Sequence, residues 1–181
     1  MPTFSFKCKI INRNNWQIIF GVIFLIIIII TTGVMGFYSI YKSSQDSKDY
    51  IDAVDHAREV QVLMQKQFQT WRRIVLEGDN PRVYRKEYLA FSRHSAMIQD
   101  LLFNLKMTCS DFNGIPAKIQ DLAALHRGIS TEYISLLVEL NEKGFTRKES
   151  VIDRAGGKDE KILSGIDDIV NGIKNISESK I

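Results

Sequence analysis

The chain has 181 residues, and its 24 Lys and Arg against 21 Asp and Glu leave a net charge of only +3. Basic residues are interleaved with acidic ones rather than massed on one stripe, which excludes nucleic acid as a partner. The length provides for one domain with a sizeable core once a membrane segment is set aside.

That segment comes first in the chain. NNWQIIFGVIFLIIIIITTGVMGFYSIY, Asn14 to Tyr41, carries no charged residue and is Ile-rich at its centre. As a helix at about 1.5 Å per residue, its core from Ile18 to Tyr38 is about 31 Å long, matching a hydrocarbon layer of about 30 Å. Trp16 at one edge and Phe37, Tyr38 and Tyr41 at the other stand where interfacial aromatic belts belong. A cleaved signal peptide has a shorter apolar part and a small-residue cleavage site, and neither is found here. Lys7, Lys9 and Arg13 precede the span, whereas Asp46, Asp49, Asp52 and Asp55 follow it, so the positive-inside rule puts the N-terminus in the cytoplasm. The expected organisation is a short cytoplasmic N-terminus (1–15), a transmembrane helix (16–41) and an extracytoplasmic domain (42–181). Cys8 and Cys109 then lie on opposite sides of the membrane, and no intrachain disulfide is expected.

Beyond the membrane the pattern is helical throughout. The first helix is predicted from about Lys42 to Glu77, continuous with the span, with a stripe of Val54, Ala57, Gln61, Met64, Phe68, Trp71 and Val75. Leu-Glu-Gly-Asp-Asn-Pro reads as a helix end and a new start, with Gly78 as a left-handed C-terminal residue, Asp79 or Asn80 as N-cap and Pro81 at the first helical position. Trp71 is expected to close the top of the bundle with its large area. The second helix, Pro81 to about Cys109, repeats the seam with Tyr84, Tyr88, Phe91, Ser95, Ile98, Leu102, Leu105 and Cys109. The third, Pro116 to about Lys143, repeats it with Ile119, Leu122, His126, Ile129, Tyr133, Leu136 and Leu140. After the polar stretch GFTRKESVIDRAGGKDE comes a last amphipathic segment bearing Ile162, Ile166, Ile169, Ile173 and Ile176. Strand-like alternation is absent. The predicted fold is therefore all-α, a transmembrane helix followed by an antiparallel, up-down-up-down four-helix bundle.

Catalytic and cofactor motifs are missing. No Glu-x-x-His pair suits a di-metal carboxylate site, and no Cys-x-x-Cys-His, Gly-x-Ser-x-Gly or Gly-rich phosphate loop occurs. The expectation is a non-enzyme with no cofactor and no metal. Of the histidines, His56 falls off the stripe and His126 on it, so the two do not converge on a metal. His126 reads as a hydrogen-bonded core histidine with Gln61 and Ser95 as its polar company, and Cys109 as a small buried apolar residue.

The run ARevQvlmQkQfQtWRRIvLeGdnP, Ala57 to Pro81, resembles the extracytoplasmic sensor regions of bacterial methyl-accepting chemotaxis proteins. Ala57, Arg58, Gln61, Gln67, Gln69, Trp71, Ile74, Leu76, Gly78 and Asp79 match the pattern. The likeness continues through Tyr84, Phe91, His126-Arg127, Tyr133 and Ile152-Asp153-Arg154, covering most of residues 42–181. Departures stand at Met64 in place of a common Phe, at Arg73 in place of an uncharged residue and at Val151 in place of a Gly. The resemblance implies a ligand-binding four-helix-bundle input domain in the cytoplasmic membrane of a bacterium, with the bundle in the periplasm or outside. It further implies a homodimer coupled to a signalling module. The same input domain serves sensor kinases and cyclic-dinucleotide enzymes, and a single-pass adaptor that binds a partner protein is the alternative from another class.

Taking the first stripe as the seam, Arg58 and Arg72 each fall one position after an inward residue, with Arg73 beside them. In bundles of the kind this sequence resembles, small anionic ligands sit where the first and fourth helices meet a second subunit, and guanidinium forks suit carboxylates. Arg58, Arg72 and Arg73 are thus the candidate residues for a small anionic ligand. The plainer alternative is that they are solvated charges paired with neighbours such as Glu59 and Glu77. The last segment, Asp159 to Ile181, is shorter than the climb from Lys42 to Glu77 and reaches no second span, so a C-terminally truncated sensor is expected.

Overall fold

The structure, a computed structural model, describes residues 13–178. Within these, five helices follow one another: α1 (Arg13–Glu77), α2 (Pro81–Thr108), α3 (Ile115–Glu142), α4 (Lys148–Ala155) and α5 (Lys158–Glu178). No strand occurs among the described residues. Cys8, Lys7 and Lys9 lie outside them. The chain divides into two compact units, residues 1–46 and 47–181.

The first unit holds the one helical stretch among the described residues that is long and apolar enough to cross a membrane. Its apolar side chains, Ile19 through Ile30 and on to Tyr41, are exposed all round rather than along one stripe, which suits a hydrocarbon solvent and not a water-facing helix. Its two threonine hydroxyls are satisfied internally. Thr31 Oγ1 donates to the Ile27 carbonyl at 2.7 Å and Thr32 Oγ1 to that of Ile28 at 2.8 Å, the arrangement that lets a polar side chain sit in an apolar medium.

The second unit is built on the predicted seams. On α1, Ala57, Met64, Phe68, Trp71 and Val75 are buried, as are Phe91, Ile98, Leu102 and Leu105 on α2. The α3 set from Ile119 to Leu140 and the α5 set Ile162, Ile166, Ile169 and Ile173 complete one continuous core. Val54, Tyr84, Tyr88 and Ile176 are half-buried at its margins. The stripe on α1 is broader than its seam: Tyr50, Ala53, Val60, Leu63, Gln67 and Ile74 are buried too, because this helix touches neighbours on more than one side. Helix α3 packs on α2 and α5 and also meets α4. Gly165 and Gly172, one heptad apart on α5, permit close approach to α3, since a Cβ there would lie 2.9 Å from Leu122 Cδ1 and 2.7 Å from Ile115 Cδ1.

Two expectations are corrected. The polar stretch between the third and last helices is not a plain loop: residues 148–155 form α4, which buries Val151 and Ala155. Neither is Gly78 left-handed; the positive φ values in this region belong to Gly144 and Phe145, both at 60°. The end of α1 is satisfied otherwise. The Gly78 amide still donates to Ile74 O at 2.8 Å, and Lys148 Nζ reaches the Leu76 carbonyl at 2.7 Å from α4. Asn80 is the N-cap of α2, accepting from the Arg82 amide at 3.0 Å, with Pro81 following. Glycine is required at 78 for space. A Cβ would stand 2.3 Å from Ile74 O and 2.6 Å from Phe145 Cε1. The Phe145 ring is set there by its left-handed backbone and by its amide N–H donating to Leu140 O at 2.9 Å, and it meets Tyr84 edge-on.

Gly78→Ala should therefore destabilise the protein by about 1–3 kcal/mol, as overpacking does. Thermal unfolding followed by circular dichroism checks it; an unchanged midpoint would mean that the Phe145 wedge is not rigid.

Candidate functional site

A partly enclosed concavity of the helical unit lies where α1 and α3 meet the corner between α4 and α5. Successive turns of α1 supply Phe68, Trp71, Arg72 and Val75, α3 supplies Tyr133, and the corner supplies Ala155, Gly156, Gly157, Asp159 and Glu160 around about 300 Å³ of space. The corner exists because α4 ends at Ala155 and α5 begins at Lys158, with Gly157 at φ 73°. Asp159 and Glu160 occupy the first turn of α5, where the positive end of the helix favours carboxylates.

The floor is aromatic. Trp71 stacks on Tyr133 with ring centroids 4.6 Å apart, and Phe68 meets Tyr133 edge-on at 6.1 Å. The Tyr133 hydroxyl points to the Ala155 carbonyl at 3.5 Å, and burial, together with the nearby Asp159 charge, pushes its pKa up to about 12. The Trp71 indole Nε1 is buried without a hydrogen-bond partner. At the mouth, Arg72 Nη2 meets Asp159 Oδ2 at 2.5 Å, and the two ends of this pair differ in environment: the arginine side chain is 66% exposed, the aspartate side chain 16%.

The three arginines singled out from the sequence separate. Arg58 bonds Gln61 Oε1 at 2.6 Å and approaches Asp167 Oδ1 on α5 at 3.4 Å. Arg72 also pairs with α5, through Asp159, and is the only one of the three that lines the cleft. Arg73 turns toward α2, meeting Glu77 at 3.2 Å and the largely buried Glu87 at 3.4 Å. Glu77 is thus a partner, as the plainer reading has it, and Glu59 enters none of these pairs. Each guanidinium already faces a carboxylate of its own chain. Nothing in the sequence pattern singles out Asp159, Asp167 and Glu87 as partners of these arginines, although the Gly-Gly-x-Asp-Glu step carries the acidic start of a helix.

A second polar centre sits inside the core. His126, fully buried, receives the Gln99 amide at Nδ1 and gives its Nε2 proton to Gln67 Oε1, both at 2.8 Å. The Gln99 amide also donates to Ala123 O at 3.2 Å while its carbonyl accepts from Arg127, and these contacts fix its orientation and hence the imidazole tautomer. Ser130 Oγ lies 3.3 Å from Gln67 Nε2, completing the chain. The expected company of Gln61 and Ser95 is corrected: Gln61 belongs to the Arg58–Asp167 cluster and donates to Asp167 at 2.9 Å. Burial lowers the pKa of His126 to about 4, so it is neutral. Cys109 is a buried free thiol, raised to about 11 by burial and therefore unreactive. Among the described residues no group of three His, Cys, Asp or Glu converges as a metal site would require. No protein-family model, curated protein or solved structure matches the chain.

His126 yields a pH prediction. Its folded pKa is depressed, so the unfolded chain binds a proton that the folded one refuses as the pH falls from about 6.5 to about 4, and stability is lost across that window. Between pH 7 and pH 4 the loss from this residue is about 3 kcal/mol. His126→Gln, which keeps an amide in the network and cannot titrate, should be less stable at pH 7 but lose about 3 kcal/mol less on acidification; parallel urea-denaturation curves would contradict this.

Proposed function

We propose that the chain is the membrane-anchored sensory input domain of a chemoreceptor-type signal transducer, anchored by its N-terminal helix with the N-terminus in the cytoplasm, and that it binds a small molecule outside the membrane in the cleft over Trp71 and Tyr133. The observation that carries this is the cleft itself, about 300 Å³ walled by aromatic rings and crossed by one ion pair, the mixture of apolar surface and few polar groups found in small-ligand sites. The residues of the resemblance supply further support, because they account for the contacts between helices. Trp71 meets Tyr133, Gln67 meets His126, Arg58 and Gln61 meet Asp167, and Ile152 stands at the cleft.

The up-down-up-down course belongs to the same reading. Tyr50 of α1 stacks on Phe112 ahead of α3, Trp71 on Tyr133, and Gly78 lies under Phe145 beyond α3, so α1 and α3 run alongside in one direction. Arg58–Asp167 and Arg72–Asp159 pair α1 with α5 in the opposite sense, and Lys106–Gln120 does so for α2 and α3. A signal to a histidine kinase or a cyclic-dinucleotide enzyme fits this bundle equally well. The adaptor reading and a weak homodimer draw support from α2, which exposes Leu89, Phe103 and Met107. A small anion, the ligand expected from the arginine cluster, would have to compete at each guanidinium with a carboxylate already there.

The test uses the full chain in detergent with Trp16→Phe, which leaves Trp71 as its one tryptophan. Screened against small organic acids, amines and sugars, its fluorescence should respond saturably to at least one compound. Ile152→Trp, read by calorimetry, should block binding by filling the mouth without touching the core. A protein that responds to none of them is not a small-molecule sensor at this cleft.

A further inference from the structure

Resting on that reading, the sign of the ligand's charge follows from the unequal burial of the Arg72–Asp159 pair. We propose that the cleft takes a small organic cation, an ammonium group on an apolar body, which replaces Arg72 at Asp159.

Any charged ligand entering the cleft must open this pair, and the consequence differs for the two partners. An anion that captured Arg72 would leave Asp159, only 16% exposed at its side chain, with the Glu160 amide and the start of α5 but no counter-charge, the costlier of the two outcomes for a carboxylate with little access to water. A cation that captured Asp159 would release Arg72, which is 66% exposed and loses little by returning to solvent. The lining is biased the same way, with two carboxylates, Asp159 and Glu160, against the one guanidinium. Phe68, Trp71 and Tyr133, at 5%, 4% and 2% exposure, form the floor against which the apolar body of an organic cation would rest. Arg72 is then a resident cation that holds the aspartate until a ligand arrives. Opening the pair loosens α1 from α5 at this level, so occupancy is coupled to the contact between the two helices that bound the chain's helical unit.

The experiment uses the full chain with Trp16→Phe in detergent, so that Trp71 in the cleft wall is the fluorophore, and compares phenethylammonium with 3-phenylpropionate, two probes of similar size and opposite charge. Phenethylammonium should give a saturable change and phenylpropionate none. Asp159→Asn should weaken the ammonium by about tenfold or more. Arg72→Gln, by removing the resident competitor, should tighten it by about two- to fivefold. Unchanged helicity by circular dichroism keeps both variants interpretable. Binding of phenylpropionate that Arg72→Gln abolishes would overturn the proposal while leaving a small-molecule sensor standing. Failure of phenethylammonium to bind either the parent or the Arg72→Gln protein would overturn it as well, with the wider screen still deciding the sensor reading.

Discussion

The arrangement of the helical unit hangs on one buried polar chain, Gln67 to His126 to Gln99, which ties α1, α3 and α2 together through the middle of an otherwise apolar core. A buried imidazole is tolerated only when both nitrogens are satisfied, and here one must accept while the other donates. Sliding α1 against α3 by one turn would strand a donor and an acceptor in the apolar interior, at a cost comparable to several core methylenes. Apolar seams attract helices to each other without fixing register; the histidine chain fixes it. The stacked pairs on either side, Tyr50 on Phe112 and Trp71 on Tyr133, follow from the register so set.

Helix α5 is held differently. Its isoleucines fill the remaining side of the core, glycines let it approach α3, and its outer edge is tied to α1 by ion pairs that face water. Such pairs contribute little each. The result is a helix firmly packed along its length but attached at its N-terminal end, beside the Gly156–Gly157 break, by a pair that exchange of partners can open. The cleft lies at that end, where α4 stops and the Gly156–Gly157 break turns the chain into α5. Structure and candidate function meet at this break: the same interruption that ends α4 borders the space and delivers Asp159 to it.

Much of the fold was legible in the residues because helical periodicity and helix punctuation are local. The alternation of steps of three and four located four seams to within a residue or two, Asn80-Pro81 marked a helix start, and the uncharged stretch from Asn14 to Tyr41 marked the candidate span. Less was legible at the site. Arg58, Arg72 and Arg73 are neighbours on one helix, yet two of them face α5 and the third faces α2, since adjacent positions on a helix differ by about 100° and meet different neighbours. Gly78 shows the same limit: its sequence context pointed to a left-handed cap, whereas the residue is small because Phe145, far along the chain, lies against it.

The sequence by itself determined the helical class, the apolar span, the seams and the presence of one histidine in a core position, all of which depend on residues within a few turns of each other. Tertiary structure alone decided who meets whom. That Gln67 and Gln99 rather than Gln61 and Ser95 serve His126, that a short helix forms in the polar stretch after Phe145, and that Asp159 rather than solvent receives Arg72 are contacts between residues 27 to 87 positions apart or products of such contacts. Their physical reason is that a side chain's partner depends on which helices are adjacent and at what height, and periodicity gives the inward face of each helix without giving either.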